Sequence, residues 1–315
     1  MGKISVIIPN YNHAAFLQQR IESVLQQSYP NYELIILDDA STDGSREIIE
    51  RYRDHPRISH ILFNDSNSGS TFSQWQKGIS LASGKYIWLA ESDDYADPRF
   101  LEECINEFTR IKELELVYTD SMVVDDCNAI VHRDLSFWTN EISLTKWNSS
   151  YTNNGREEIV KALSRKNTIP NASAVVFKKK FFPEVLSYKY CGDWLFWIKI
   201  LESGNMTFIK QPLNYFRTHG NTTRTQSLSP ARLKLFLRER SLILSYLKMK
   251  QLIEQHSFRQ LKKDIVDQWK TVYTISDILK KDFFLPFTDI RLAFTFLGHK
   301  LLNAFRRIIH VRPAA

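Results

Sequence analysis

Short apolar runs at residues 4–8, 34–37, 58–63, 86–89 and 116–118 read as strands, and several are apolar at every position, as expected where both faces are covered. Between them, residues 14–27, 45–53, 71–82 and 99–111 space their apolar side chains three and four apart, the pattern of helices with one buried face. This β-α-β-α order, with crossovers long enough to hold a helix, predicts an α/β, mostly parallel sheet with helices on both faces. Helix starts agree with the pattern. Ser41-Thr42-Asp43 forms a cap cluster before the second helix, and Asp97-Pro98 places a proline in the first turn of the fourth.

After about residue 125 the rhythm changes. Residues 136–155 carry Trp138, Trp147 and many Asn and Ser without a period, so they read as a long loop and a candidate lid. A helix at 156–163, a strand at 173–177, a helix at 194–201 and strands at 206–209 and 213–216 follow. From Pro230 the pattern is almost entirely helical. The expected organisation is therefore two halves of one α/β body, 1–125 and 126–229, and a C-terminal helical extension at 230–315.

Composition narrows the class. A chain of 315 residues, 43% hydrophobic and 24% charged, can bury a sizeable core, which excludes disordered and collagen-like proteins. The three cysteines, Cys104, Cys127 and Cys191, contain no C-x-x-C pair, which points to a reducing, cytoplasmic setting and away from a zinc cage. The apolar start before Pro9 is too short for a signal-peptide core, and no apolar run reaches the roughly 18 residues of a membrane span. Charge is uneven: residues 231–315 hold 17 Lys and Arg against 7 Asp and Glu, whereas residues 1–230 hold 25 against 28. Near the end, Ile290, Ala293, Phe294, Leu297, Leu301 and Phe305 recur at helical spacing beside Arg291, Lys300, Arg306 and Arg307. Such a face can lie on an anionic membrane as a peripheral contact, cover the body, or meet a second subunit in an oligomer. The tail holds no nucleic-acid-reading motif, so no nucleic acid is expected as a partner.

In a parallel sheet, ligands bind beyond the carboxyl ends of the strands. Those ends carry Pro9-Asn10-Tyr11-Asn12, then Asp38-Asp39-Ala40-Ser41-Thr42-Asp43-Gly44, then Glu91-Ser92-Asp93-Asp94. Neither a G-x-G-x-x-G nor a P-loop pattern is present. Acidic and amide-rich loops suit hydrogen bonding to a base and ribose, with a hard cation held against a diphosphate. On an extended segment Glu91 and Asp93 point the same way and can share one ion; the same cluster can also serve as a cap and solvated turn before the Asp97-Pro98 helix.

Ser5-Val6-Ile7-Ile8-Pro9-Asn10-Tyr11-Asn12, Leu37-Asp38-Asp39-Ala40-Ser41-Thr42-Asp43-Gly44 and Gly84-Lys85-Tyr86-Ile87-Trp88-Leu89-Ala90-Glu91-Ser92-Asp93-Asp94 resemble the family-2 inverting glycosyltransferases of GT-A fold, of the bacterial surface-polysaccharide type, over roughly residues 3–125. The resemblance implies a nucleotide-sugar donor, a UDP-sugar first, with Pro9, Asn10, Tyr11 and Asp39 around the base and ribose and Ser92 and Asp94 as further donor contacts. It implies Mn²⁺ or Mg²⁺ at Asp93, with Glu91 in place of the first Asp of D-x-D, and His219 of Tyr215-Phe216-Arg217-Thr218-His219 near the metal or diphosphate. Cys191-Gly192-Asp193-Trp194 resembles the segment whose Asp is the catalytic base, making Asp193 the candidate, although an Asp there also suits a helix N-cap. The acceptor implied is a glycan or lipid-linked hydroxyl, at the inner face of the plasma membrane. A catalytically silent sugar-nucleotide-binding protein of the same fold is the alternative.

The chain also departs from the family pattern. Where many members read N-x-G-x-x-x-A-R-N-x-G, it has Ser73-Gln74-Trp75-Gln76-Lys77-Gly78, with no Arg and only Lys77 as a substitute cation. Gly192 stands where the family often has Glu, and Thr168-Ile169-Pro170-Asn171-Ala172-Ser173 stands where a glycine-containing acceptor loop is usual. Trp194 and Trp197 read either as core or as a wall for a sugar face.

Overall fold

The structure is a computed structural model that describes residues 2–220 and 229–272. The basic amphipathic segment at 290–305 lies outside the described residues. Two compact units divide the chain, Met1–Gln226 and Ser227–Ala315.

The first unit opens with β1 (Ile4–Asn10), α1 (Ala14–Leu25), β2 (Tyr32–Asp38), α2 (Ser45–Glu50), β3 (Ile58–Phe63), α3 (Thr71–Leu81), β4 (Tyr86–Leu89), the short β5 (Tyr95–Ala96) and α4 (Phe100–Arg110). It continues with β6 (Leu114–Val124), β7 (Ile130–His132), α5 (Ser136–Thr139), β8 (Tyr151–Asn154), α6 (Gly155–Glu158), β9 (Val175–Lys178), α7 (Gly192–Leu201) and β10 (Asn205–Arg217). Among the described residues these strands form one sheet in the order β3-β2-β1-β4-β9-β6-β10-β5, with β7 on β6 and β8 on β10. Strands β3, β2, β1 and β4 are mutually parallel. β9 runs antiparallel to both β4 and β6, and β10 is parallel to β6, so six strands share one direction, with β9 reversed between β4 and β6 and the short β5, β7 and β8 reversed at the margins. The expected mostly parallel α/β body is thus realised as a mixed sheet.

Every residue of β1 and β2 is buried, which is why their sequences show no polar alternation. Ile4, Val6 and Ile8 join Leu17, Ile21 and Val24 of α1 and Phe100, Leu101 and Cys104 of α4 in one apolar layer. Each such aliphatic chain contributes about 1.5–3 kcal/mol by leaving water. On the opposite face Ile7 meets α3 at Gly78, where a Cβ would fall 2.4 Å from the Ile7 side chain. Only a glycine lets that helix approach the strand so closely.

Two elements differ from the sequence expectation for physical reasons. β6 runs on through Thr119, Asp120 and Ser121, polar residues that are nevertheless buried because Lys210 Nζ (2.8 Å) and the backbone N–H groups of Ser121 and Leu135 donate to Asp120. The two strands expected around Pro212 are one, β10, whose register against β6 shifts at that proline. The irregular 136–155 stretch holds α5, a single 3-10 turn and β8. Buried Trp147 donates to the Tyr118 hydroxyl (2.8 Å) and Trp138 to the Asn167 carbonyl (2.8 Å), so the segment is anchored to the body at two points.

At the amino end of the sheet, Glu33 accepts bonds from Lys3 (2.8 Å), Ser5 (2.5 Å) and the Ser83 N–H (2.7 Å). Burial pushes its carboxyl up, but these donors outweigh burial and bring it down to about 2. A depressed folded-state value stabilises the fold above the unfolded carboxyl range, and that contribution is lost as pH falls through the folded value. We expect stability to fall between about pH 4.5 and 2, and Glu33→Gln to flatten that part of a urea-denaturation pH series.

In the second unit, α8 (Pro230–Met249) begins on a Ser229 cap and packs on α9 (Gln255–Val272), with Ile243, Leu244 and Leu247 of the first and Ile265, Val266 and Trp269 of the second buried. No helix among the described residues is long and apolar enough to cross a membrane.

Candidate functional site

Strands β1, β2 and β4 end at one edge: Asn10 pairs with Asp38 in register, and the Ala90 N–H bonds the Ile7 carbonyl just after β4. The first turn is wired to the second. Buried Asn10 donates to Asp38 (2.8 Å) and Ser41 (3.1 Å), so its amide N–H groups hold the loop. Asn12 adopts a left-handed φ of 55°, with its N–H bonded to Ser41 Oγ (2.9 Å) and its side-chain oxygen accepting from the Thr42 N–H (2.8 Å). Asn tolerates that conformation better than a branched residue would. Pro9 is buried, while Tyr11 is left exposed just beyond the end of β1. Buried Asp39 accepts from Asn64, from the Ser68 N–H and Oγ, and from Gln74 (2.9 Å), so its carboxylate organises the 64–74 loop.

The four residues after β4 separate into distinct parts. Glu91 accepts from the Trp75 indole (2.8 Å), and burial together with the Asp93 charge pushes it up to about 8. One of its carboxylate oxygens is thereby engaged by α3. Ser92 is buried and shares a hydrogen bond with His13 Nδ1 (2.8 Å). Asp93 lies 3.2 Å from His219 Nε2; burial works against its charge, but His219 and His13 outweigh burial and hold the carboxyl below its usual range. Asp94 is buried and accepts from Asn171 (2.9 Å) and the Arg217 N–H (2.8 Å), while burial and the Asp93 charge raise it to about 6. With Arg20 at 3.9 Å, Asp94 is a keystone of the framework.

His13, Asp93 and His219 each bring a ligand-capable atom within 4.8 Å of the others. Burial holds His13 below the ordinary imidazole range despite the Asp93 carboxylate beside it. The sequence reading stopped at Asn12 and missed His13, although its place immediately after the strand-end motif was a usable signal. Arg217 was missed as well. Wholly buried, it donates from Nε to the Asp93 carbonyl (2.8 Å), from Nη1 to the Asp125 carbonyl (2.7 Å), and from Nη2 to Gln19 (2.7 Å) and Asn128 (2.8 Å).

Asp193 sits partly buried in the first turn of α7 and accepts from Asn167 Nδ2 (2.8 Å). Four residues on, Asn171 holds Asp94, and Ser173 Oγ accepts from the Glu91 N–H (3.0 Å). One strand-linking segment therefore touches both acidic regions, and a stretch of four residues spans at most about 14 Å. Trp75 adds a second tie, bonding Glu91 while its ring contacts Phe196 and Trp197 of α7. Trp197 is completely buried and the Trp194 indole donates to the Leu163 carbonyl (2.7 Å), so both belong to the core rather than to a sugar-facing wall. Lys77, the substitute cation, bonds Asn64.

A Rossmann-like half joined through one reversed strand to a second half that contributes to the same edge is the GT-A architecture of glycosyltransferases. The sequence pattern of Glycosyl transferase family 2 matches residues 5–186, and the protein belongs to that family. It is 38% identical over 91 residues to TuaG of Bacillus subtilis, whose name assigns it to teichuronic acid biosynthesis; the match covers 29% of this chain and 36% of TuaG. The aligned stretches span 13–36% of the length of the first curated relatives. Among solved structures, S. aureus TarS in complex with UDP-GlcNAc superposes with a TM-score of 0.61 at 17% identity, over 90% of this chain and 79% of that one. The mannosyltransferase PcManGT of Pyrobaculum calidifontis, in complex with GDP-Man and Mn²⁺, gives 0.54 at 12% identity, over 96% and 80%. At these identities the likeness is one of fold.

Proposed function

We propose that this glycosyltransferase moves a sugar, with inversion, from a nucleoside-diphosphate sugar to a hydroxyl of a glycan or lipid-linked acceptor in bacterial cell-surface polysaccharide synthesis. The observation that carries the reading is the pairing of Asp93 with His219 at the strand ends, with Asp193 tied to the same edge through the 167–173 segment. A UDP-sugar is the first donor to test, because the TarS structure holds UDP-GlcNAc. A lipid-linked acceptor brings the chain to the inner face of the plasma membrane.

A carboxylate beside an imidazole is a donor set that fits a divalent ion such as Mn²⁺, and Asp93 and His219 are the residues to hold it. When bound, such an ion neutralises negative charge gathering on the departing nucleoside diphosphate. The remaining work falls to side chains. Exposed Tyr11 offers its ring to the base, and the Asp39-organised loop forms the adjoining wall. Asp193, oriented by Asn167, accepts the acceptor hydroxyl proton as that oxygen attacks the anomeric carbon from the face opposite the diphosphate. The anchored segment at 136–155 helps keep out water, which competes as an acceptor.

A panel of nucleotide sugars, screened by thermal shift with and without Mn²⁺ and then by turnover, tests the reading. A donor near 100 times its dissociation constant stabilises by about 2.7 kcal/mol, several degrees of melting temperature. We expect Asp93→Asn to remove the Mn²⁺-dependent part of that shift. Neither stabilisation nor transfer nor slow donor hydrolysis with any nucleotide sugar overturns the proposal.

A further inference from the structure

Three residues from distant parts of the chain, His13, Asp93 and His219, converge beside the strand ends. His13 stands between the turn wired by Asn12 and the start of α1, and the Ala14 N–H bonds Asp43 (2.8 Å), so the backbone on both sides of the imidazole is fixed. Its ring meets that of His219 edge to face, with centroids 5.5 Å apart at 90°, and Phe16 backs His219 at 4.9 Å. One ligand-capable atom from each of His13, Asp93 and His219 falls within 4.8 Å of the other two. Two partly buried imidazoles brought to one carboxylate oxygen are costly to desolvate unless a cation repays the arrangement. The Nδ1 atom of His13 is engaged by Ser92 Oγ (2.8 Å), a hydrogen bond that fixes the ring. A metal-binding histidine is commonly oriented in this way, through a hydrogen bond at its other ring nitrogen.

We propose that His13 is a third protein ligand of the divalent ion, completing with Asp93 and His219 a two-imidazole, one-carboxylate set that selects Mn²⁺ over Mg²⁺. The inference rests on the ion reading of the proposed function and adds to it a ligand and a selectivity. Imidazole nitrogen suits first-row transition ions, whereas Mg²⁺ favours oxygen ligands and keeps its waters. Ser92 then acts as a positioning residue for His13 instead of touching the donor.

The test uses the purified full chain with Mn²⁺ or Mg²⁺ alone, read by calorimetry and by pulsed electron paramagnetic resonance. Wild-type protein is expected to bind Mn²⁺ at least tenfold more tightly than Mg²⁺ and to show nitrogen couplings from two imidazoles, a count that needs no variant. His13→Ala should remove one coupling and weaken Mn²⁺ at least tenfold while weakening Mg²⁺ less. One coupling in the wild type that disappears in His219→Ala and persists in His13→Ala overturns the proposal and leaves the Asp93 and His219 reading standing. Absence of Mn²⁺ binding to the wild type, with UDP and without it, overturns both.

Discussion

Replacing Asp193 with Asn is expected to lower the turnover number by about 10²–10⁴-fold, while the donor dissociation constant stays within about twofold. The substitution keeps shape and volume, and the new amide oxygen can still accept from Asn167. What it removes is basicity. The attacking hydroxyl must shed its proton in the same step that breaks the bond to the diphosphate, and an amide cannot take it. In the proposed arrangement the donor is held by the β1, β2 and β4 loops, whereas Asp193 enters on α7, so donor binding is expected to be spared. Single-turnover kinetics with saturating donor, alongside equilibrium titration of the nucleotide-sugar donor without acceptor, separate the two effects. A variant that turns over within tenfold of the wild type removes Asp193 from the reaction.

Arg217→Met is expected to cost about 3–5 kcal/mol of stability, because it strands several buried neutral acceptors that the guanidinium now satisfies. Four acceptors lose their donors together: the carbonyls of Asp93 and Asp125 and the side chains of Gln19 and Asn128. Each abandoned acceptor costs about 1–3 kcal/mol, and the lower total reflects the recovered cost of burying the guanidinium itself. Arg217→Lys should restore only a minor share, since an ammonium cannot reproduce the planar fork. Urea denaturation of the three proteins gives the comparison. A loss under about 1 kcal/mol for the Met variant means that the surroundings re-pair those groups without the arginine.

The parallel half of the sheet was legible because strands covered on both faces spell themselves as unbroken apolar runs, as in Val6-Ile7-Ile8 and Leu34-Ile35-Ile36-Leu37. The direction of β9 was not, since four residues of strand carry no mark of which way they run. Asp120 hid the length of β6 because its compensating cation, Lys210, lies far along the chain. In the site, residue types were readable but their obligations were not. Asp39 and Asp94 look like donor contacts in the sequence, yet their oxygens are largely spent on Ser68, Gln74, Asn171 and the Arg217 N–H. Glu91 is similar: its longer arm reaches Trp75, a partner on a different helix that no local pattern announces.

The reversed strand β9 also governs how the molecule can be assembled during synthesis. It closes the gap between β4 and β6, yet it is translated some 50 residues after β6 is complete. Until then the facing edges of β4 and β6 stay unsatisfied, and loop closure across that distance makes this a late, slow step. A fragment ending near residue 125 should therefore associate through those edges instead of behaving as an autonomous nucleotide-binding module.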